Sequence, residues 1–163
     1  MKPIELELRW FGQYTDTPPQ VVRFDQLEKV FLITGETGAG KTTLFDAMAY
    51  ALYGMGLGAR SSAAQLRSQL AGEEHSTVVR FVFEVGGTRW EVERSPYNFV
   101  RKKRTGAPEI DKYVRLTRLT GPGAPEAIPP DAIGERLGRL LVLRFQDFSK
   151  ILVLPQGEFQ QFL

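Results

Sequence analysis

The chain has 163 residues, 42% hydrophobic and 25% charged, a globular composition that excludes a disordered or collagen-like protein. Its 21 Lys and Arg against 19 Asp and Glu leave a formal charge of +2, too close to neutral to announce a nucleic-acid binder by itself. With no cysteine and a single histidine, His75, disulfides, thiolate catalysis, cysteine-rich zinc sites and paired-histidine metal centres are all excluded.

At the N-terminus Ile4, Leu6, Leu8 and Trp10 alternate with polar residues, the period of a half-buried strand. A Pro18-Pro19 turn leads to a short returning strand at Val21–Phe24. The continuous apolar run Val30–Ile33 predicts a central strand covered on both faces. From Lys41 the spacing of Leu44, Phe45, Met48, Ala51 and Leu52 predicts a helix, stopped by Gly54, and a Gly/Ala/Ser-rich loop follows to Ala64. Thr77–Val85 and Thr88–Arg94 read as strands joined by a Gly86-Gly87 hairpin turn, and Lys112–Thr120 as a third strand. Between the last two, Pro96–Pro108 carries the basic run Arg101-Lys102-Lys103-Arg104. Thr120–Pro130 reads as a linker or long loop, Asp131 as the N-cap of a helix reaching about Leu141, and Ile151–Leu154 as strand-like. There is no signal-peptide pattern and no apolar run of membrane-spanning length. These features predict a soluble protein of a reducing compartment, the cytoplasm, with no membrane partner.

The chemistry is concentrated in Gly35-Glu36-Thr37-Gly38-Ala39-Gly40-Lys41-Thr42, which fits the phosphate-binding pattern G-x-x-x-x-G-K-[ST] without a mismatch, and Thr43 extends it. Glycines let the backbone turn several N–H groups toward one phosphate. Lys41 is placed to reach the β- and γ-phosphates and the Thr42 hydroxyl to ligate Mg²⁺, with a helix N-terminus behind both. An expected strand before the motif and helix after it supply the required context. A GTPase or kinase would continue with alternating strands and helices, whereas three strands follow in succession here. No apolar strand ends in the Asp or Asp-Glu that normally positions metal and water; the nearest imitations end at Glu84, which reads as the outward face of a strand, and Asp147. The pattern amounts to half of an active site.

The stretch Phe31–Ala47, continuing to Ala51-Leu52-Tyr53-Gly54, closely resembles the start of the SMC-like ABC ATPases of double-strand break repair. Leu154-Pro155-Gln156-Gly157-Glu158-Phe159 resembles their Q-loop, and Arg89–Pro96 is similar to the bacterial, SbcC-type branch. The resemblance covers nearly the whole chain. It implies the N-terminal half of an ABC-type ATPase head, a mixed α/β P-loop lobe. That lobe would combine a parallel strand–P-loop–helix unit, an adjoining antiparallel subdomain (about 77–120) and a helix leading into the Q-loop (about 154–158). A coiled coil and a C-terminal half bearing the signature motif, Walker B and switch histidine would follow, making this chain an N-terminal fragment, with Phe159, Phe162 and Leu163 starting the outgoing helix. The resemblance further implies that Gly35–Thr43 bind ATP, that Thr42 and Gln156 share Mg²⁺, and that Lys41 and Gln156 serve hydrolysis.

Its implied partners are the chain's own C-terminal half, a second head in a nucleotide-dependent dimer, an SbcD-type nuclease and double-stranded DNA. Some relatives place a basic residue after the first strand to touch the nucleotide; this chain departs from them with Gly12-Gln13-Tyr14, and Arg67 and Ser68 are the candidates for the base and ribose side. Arg101–Arg104 can contact a DNA backbone or form a solvated hairpin tip, and His75 reads as a surface loop residue. Two other readings stand beside the ATPase half-head: a DNA-binding module using nucleotide structurally, and a head fragment of another SMC-like or ABC ATPase.

Overall fold

The computed structural model describes residues 1–15, 18–57, 63–101 and 108–152. Its frame is one six-stranded antiparallel sheet. In chain order the elements are β1 (Lys2–Arg9), β2 (Gln20–Arg23), α1 (Lys41–Tyr53), the single turn α2 (Ala63–Leu66), β3 (Val78–Val85), β4 (Thr88–Arg101), β5 (Pro108–Arg118), β6 (Glu126–Ala127), α3 (Ile133–Leu140) and α4 (Phe145–Leu152). The strand order is β2-β1-β3-β4-β5-β6.

Alternation decides which face is inside. Leu6 and Leu8 of β1, Val79, Phe81 and Phe83 of β3, Trp90 and Val92 of β4 and Leu116 of β5 point inward and are almost fully buried. α1 lies across β3 and β4, with α3 over β5. Phe145 and Phe148 of α4 pack against Tyr53 at ring distances of 5.7 and 5.0 Å. α1 is therefore enclosed on more sides than its expected apolar stripe: Thr43, Asp46 and Ala49 are buried along with Leu44, Met48 and Leu52. Burial of Asp46 is compensated where its Oδ1 accepts the Leu57 N–H at 3.0 Å. Gly54 ends α1 at φ 73°, its N–H bonded to the Tyr50 carbonyl. Arg94 Nε donates to the Ala51 carbonyl at 3.1 Å, a cation at the helix's negative end.

The hairpin turn at Gly86-Gly87 forms as expected, with φ of 57° and 76°. Four expectations are corrected. Val30–Ile33 is not a strand: none of the described residues pairs with it, and Val30 and Leu32 are 89% and 84% exposed. An apolar run becomes a buried strand only when strands flank it, so the expected parallel unit does not form among the described residues. The strand expected over Thr88–Arg94 does not end at Arg94. β4 continues to Arg101 opposite Pro108, after a register shift between Ser95 and Asn98 where Pro96 has no N–H to give the ladder. Asp131 caps nothing; it lies in a 3-10 turn (Pro130–Ala132), and Ala132 precedes α3 without a side-chain cap. Ile151 and Leu152 close α4 rather than starting a strand, and Leu154 lies outside the described residues. The Thr120–Pro130 stretch contains β6, and Ile128 donates its N–H to the Leu116 carbonyl.

The outer face of the sheet is a ladder of alternating charge. Arg80 bonds Glu5 at 2.6 Å and Glu91 at 2.7 Å, Arg23 reaches Glu5 at 3.3 Å, and Arg115 reaches Glu93 at 2.9 Å. Burial, with Glu93 beside it, pushes the Tyr113 phenol up to about 12. The hydrogen bond from Arg80, aided by Arg23, holds the Glu5 carboxyl below its ordinary range. A carboxyl depressed by folding stabilises the fold above its unfolded pKa, and that contribution is lost as pH falls through the lower folded pKa. Urea titrations across the acid range should therefore show a shallower loss of stability for Glu5→Gln than for the unaltered chain; equal acid limbs would contradict the assignment. No described helix is long and apolar enough to cross a membrane.

Candidate nucleotide site

The motif wraps the N-terminus of α1. Gly38 and Gly40 adopt φ of 86° and 90°, and Gly40 is the left-handed residue from which α1 springs. A helix leaves its first four N–H groups without intrahelical acceptors. In α1 these belong to Gly40–Thr43, since the next N–H, that of Leu44, already bonds the Gly40 carbonyl. A pocket of about 160 Å³ opens over them, lined by Gln13, Gly38, Gly40, Lys41, Thr42 and Thr43. Orphan donors, the positive helix end and a lysine on one small cavity make a ready anion site.

The Lys41 ammonium donates to the carbonyls of Gly35 and Glu36 at 2.8 and 2.7 Å, so the loop closes on its own cation. Glu36 and Thr37 are exposed on the loop's outer rim, and a bond from the Ala39 N–H to the Glu36 carbonyl tightens the turn beneath them. Thr42 is exposed at the pocket mouth, where its hydroxyl is a hard oxygen donor of the kind Mg²⁺ takes. Thr43 is buried and donates its hydroxyl to Gln13 Oε1 at 2.7 Å. No group of three His, Cys, Asp or Glu able to hold a metal occurs among the described residues. Gln156 and the whole Q-loop lie outside them.

What the sequence reading missed is the floor beneath the loop. The turn after β1 is stitched by reciprocal bonds between Phe11 and Tyr14 and tied to the 66–68 segment through Gly12 N–H to the Leu66 carbonyl and Ser68 N–H to the Trp10 carbonyl. Gln13 and Tyr14 rise from this turn into the loop, Tyr14 donating its hydroxyl to the Gly40 carbonyl at 3.1 Å. A glycine directly after an alternating strand was the available signal, but nothing local says which loop it approaches.

A second recess of about 350 Å³ shares Gln13 with the first and is lined by Gly12, Gln65, Arg67, Ser68, Gln69 and Leu70. Arg67 is engaged within the protein, donating to the His75 carbonyl at 2.8 Å and the Thr77 hydroxyl at 2.9 Å. The Ser68 hydroxyl accepts the Leu70 N–H. His75 stacks on Trp10 with ring centroids 3.8 Å apart, and its Nδ1 accepts the Gly72 N–H. Glu84 sits on the outer sheet face near Arg89, and Asp147 in the first turn of α4. Of the basic run, the backbone of Arg101 ends β4, while Lys102, Lys103 and Arg104 lie outside the described residues.

Comparison with known proteins places the chain in a family. The family described as AAA domain matches residues 5–163. Over its full length the chain is 41% identical to the SbcC subunit of the SbcCD nuclease of Lactococcus lactis and 34% identical to that of Vibrio cholerae. It is 36% identical to a Probable DNA double-strand break repair Rad50 ATPase of Aquifex aeolicus. In each case it spans only 15 to 16% of the relative's length.

Proposed function

The chain belongs to the AAA domain family, and from that premise we propose that it is the ATP-binding N-terminal half of an SbcC-like DNA repair ATPase head. The observation that carries the reading is the glycine loop closed around the α1 N-terminus, with Lys41 and Thr42 on one pocket. On ATP binding the Lys41 ammonium exchanges the Gly35 and Glu36 carbonyls for β- and γ-phosphate oxygens, and the N–H groups of Gly40–Thr43 acquire acceptors. Thr42 would hold Mg²⁺ together with Gln156; when bound, the ion neutralises charge on the phosphate oxygens. The amide-lined recess beyond Gln13 receives ribose and base.

The chain's own residues bind and orient the triphosphate. Among the described residues no carboxylate lines the pocket to position water, a role we assign to the C-terminal half. Val30, Phe31 and Leu32, exposed immediately before the loop, suit strand partners from that half. In the completed protein two such heads would enclose ATP, and their closure would regulate the access of double-stranded DNA to an SbcD-type nuclease.

The test mixes this chain with a separately expressed C-terminal half. ATP turnover should appear only in the mixture, and Thr42→Ala should remove the enhancement of nucleotide affinity by Mg²⁺. Turnover by this chain alone, in a pure sample, would overturn the half-site reading.

A further inference from the structure

We propose that Tyr14 is a positioning residue for nucleotide binding, its hydroxyl aiming one of the phosphate-binding amides through the Gly40 peptide; this rests on the nucleotide-site reading above. The hydroxyl donates to the Gly40 carbonyl at 3.1 Å across 26 positions of sequence. In a planar trans peptide the carbonyl and the following N–H point in opposite directions. A bond that holds the Gly40 carbonyl from below therefore turns the Lys41 N–H upward, toward the pocket that Gly40, Lys41 and Thr42 line. Within α1 this carbonyl is held by one longer bond, from the Leu44 N–H at 3.3 Å, and Gly40 sits at φ 90°, where glycine moves easily. The Tyr14 contact adds a second, shorter bond to the same carbonyl before the ligand arrives, and pre-organised donors cost less to engage.

The base of the strut is rigid. Tyr14 exchanges backbone bonds with Phe11 at 2.9 Å in both directions, and its ring packs on the core. Its other end is equally close: a Cβ on Gly40 would meet the Tyr14 ring carbons and hydroxyl at 3.0 to 3.1 Å. The glycine at position 40 thus serves the ring's approach as well as the backbone angle. The same turn sends Gln13 to hold the Thr43 hydroxyl, so two successive side chains fix the first turn of α1 from one support. Burial raises the Tyr14 phenol above its ordinary range, which keeps it a donor at any physiological pH.

The experiment compares the unaltered chain, Tyr14→Phe and Lys41→Ala by ¹⁵N NMR titration with Mg-ADP, alongside thermal melting without nucleotide. Tyr14→Phe keeps the ring and loses only the hydroxyl. We expect the Lys41 amide resonance to shift in the free chain, affinity to fall about 3- to 10-fold, the span of a single hydrogen bond, and the melting midpoint to stay in place. Unchanged affinity with an unmoved Lys41 amide overturns the proposal. So does an affinity loss matched by an equal loss of stability, which would make Tyr14 a packing residue. If the unaltered chain and Lys41→Ala bind alike, the nucleotide-site reading itself fails and takes the proposal with it.

Discussion

Lys41→Ala should lower the affinity for ATP and ADP by about 100-fold or more while leaving the fold intact. The ammonium makes charge-assisted bonds, each contributing about 1.5–3 kcal/mol, and two such bonds to phosphate oxygens correspond to two or more decades in Kd. Among the described residues the same ammonium bonds the exposed loop carbonyls of Gly35 and Glu36. Its removal there loosens a surface turn and no core contact. Calorimetric titration and thermal melting on the same samples separate the two effects. Retained affinity would mean that the anion is held elsewhere; a collapsed melting midpoint would mean that Lys41 is needed to fold.

Gly12→Ala should be the more damaging substitution for stability. Gly12 has φ 58°, where an L side chain costs about 1–2 kcal/mol. A Cβ there would also lie 2.5 Å from Thr43 Cγ2, and Thr43 is 2% exposed, so overpacking adds about 1–3 kcal/mol. Gly86→Ala is the internal comparison: its φ is 57°, but none of the described residues lies within 4 Å of the new carbon, so it carries the backbone cost alone. Urea unfolding should place Gly12→Ala at about 2–5 kcal/mol and Gly86→Ala at about 1–2 kcal/mol below the unaltered chain. Nucleotide affinity should fall only for Gly12→Ala, because displacing Thr43 disturbs the first turn of α1. Equal destabilisation by both would show that the Thr43 contact yields without cost.

Both substitutions act on the same few residues, yet they were not equally visible beforehand. Lys41 announces itself through its spacing from Gly35 and Gly40, since a phosphate cradle is built within nine consecutive residues. Gly12 and Tyr14 carry no such pattern. Their importance comes from proximity to Thr43 and Gly40, 31 and 26 positions away. The DNA-contact and Q-loop expectations, resting on Arg101–Arg104 and Gln156, remain proposals tied to residues largely outside the described structure.

By itself the sequence determined the features that are local: the inward alternation of β1, the Gly86-Gly87 turn, the helix between Lys41 and Gly54, and the glycine-rich loop at its start. Periodicity and glycine placement act over a few residues and need no partner to be read. Tertiary structure decided whatever depends on a neighbour. It left Val30–Leu32 exposed because no described strand pairs with them, and it carried β4 past Pro96 because β5 lies alongside. It also brought Gln13 and Tyr14 under the loop because β1 ends there. The physical reason is common to all three: a strand or a strut is stabilised by groups distant in the chain, and a run of residues carries its own preferences without naming the residues that will meet it.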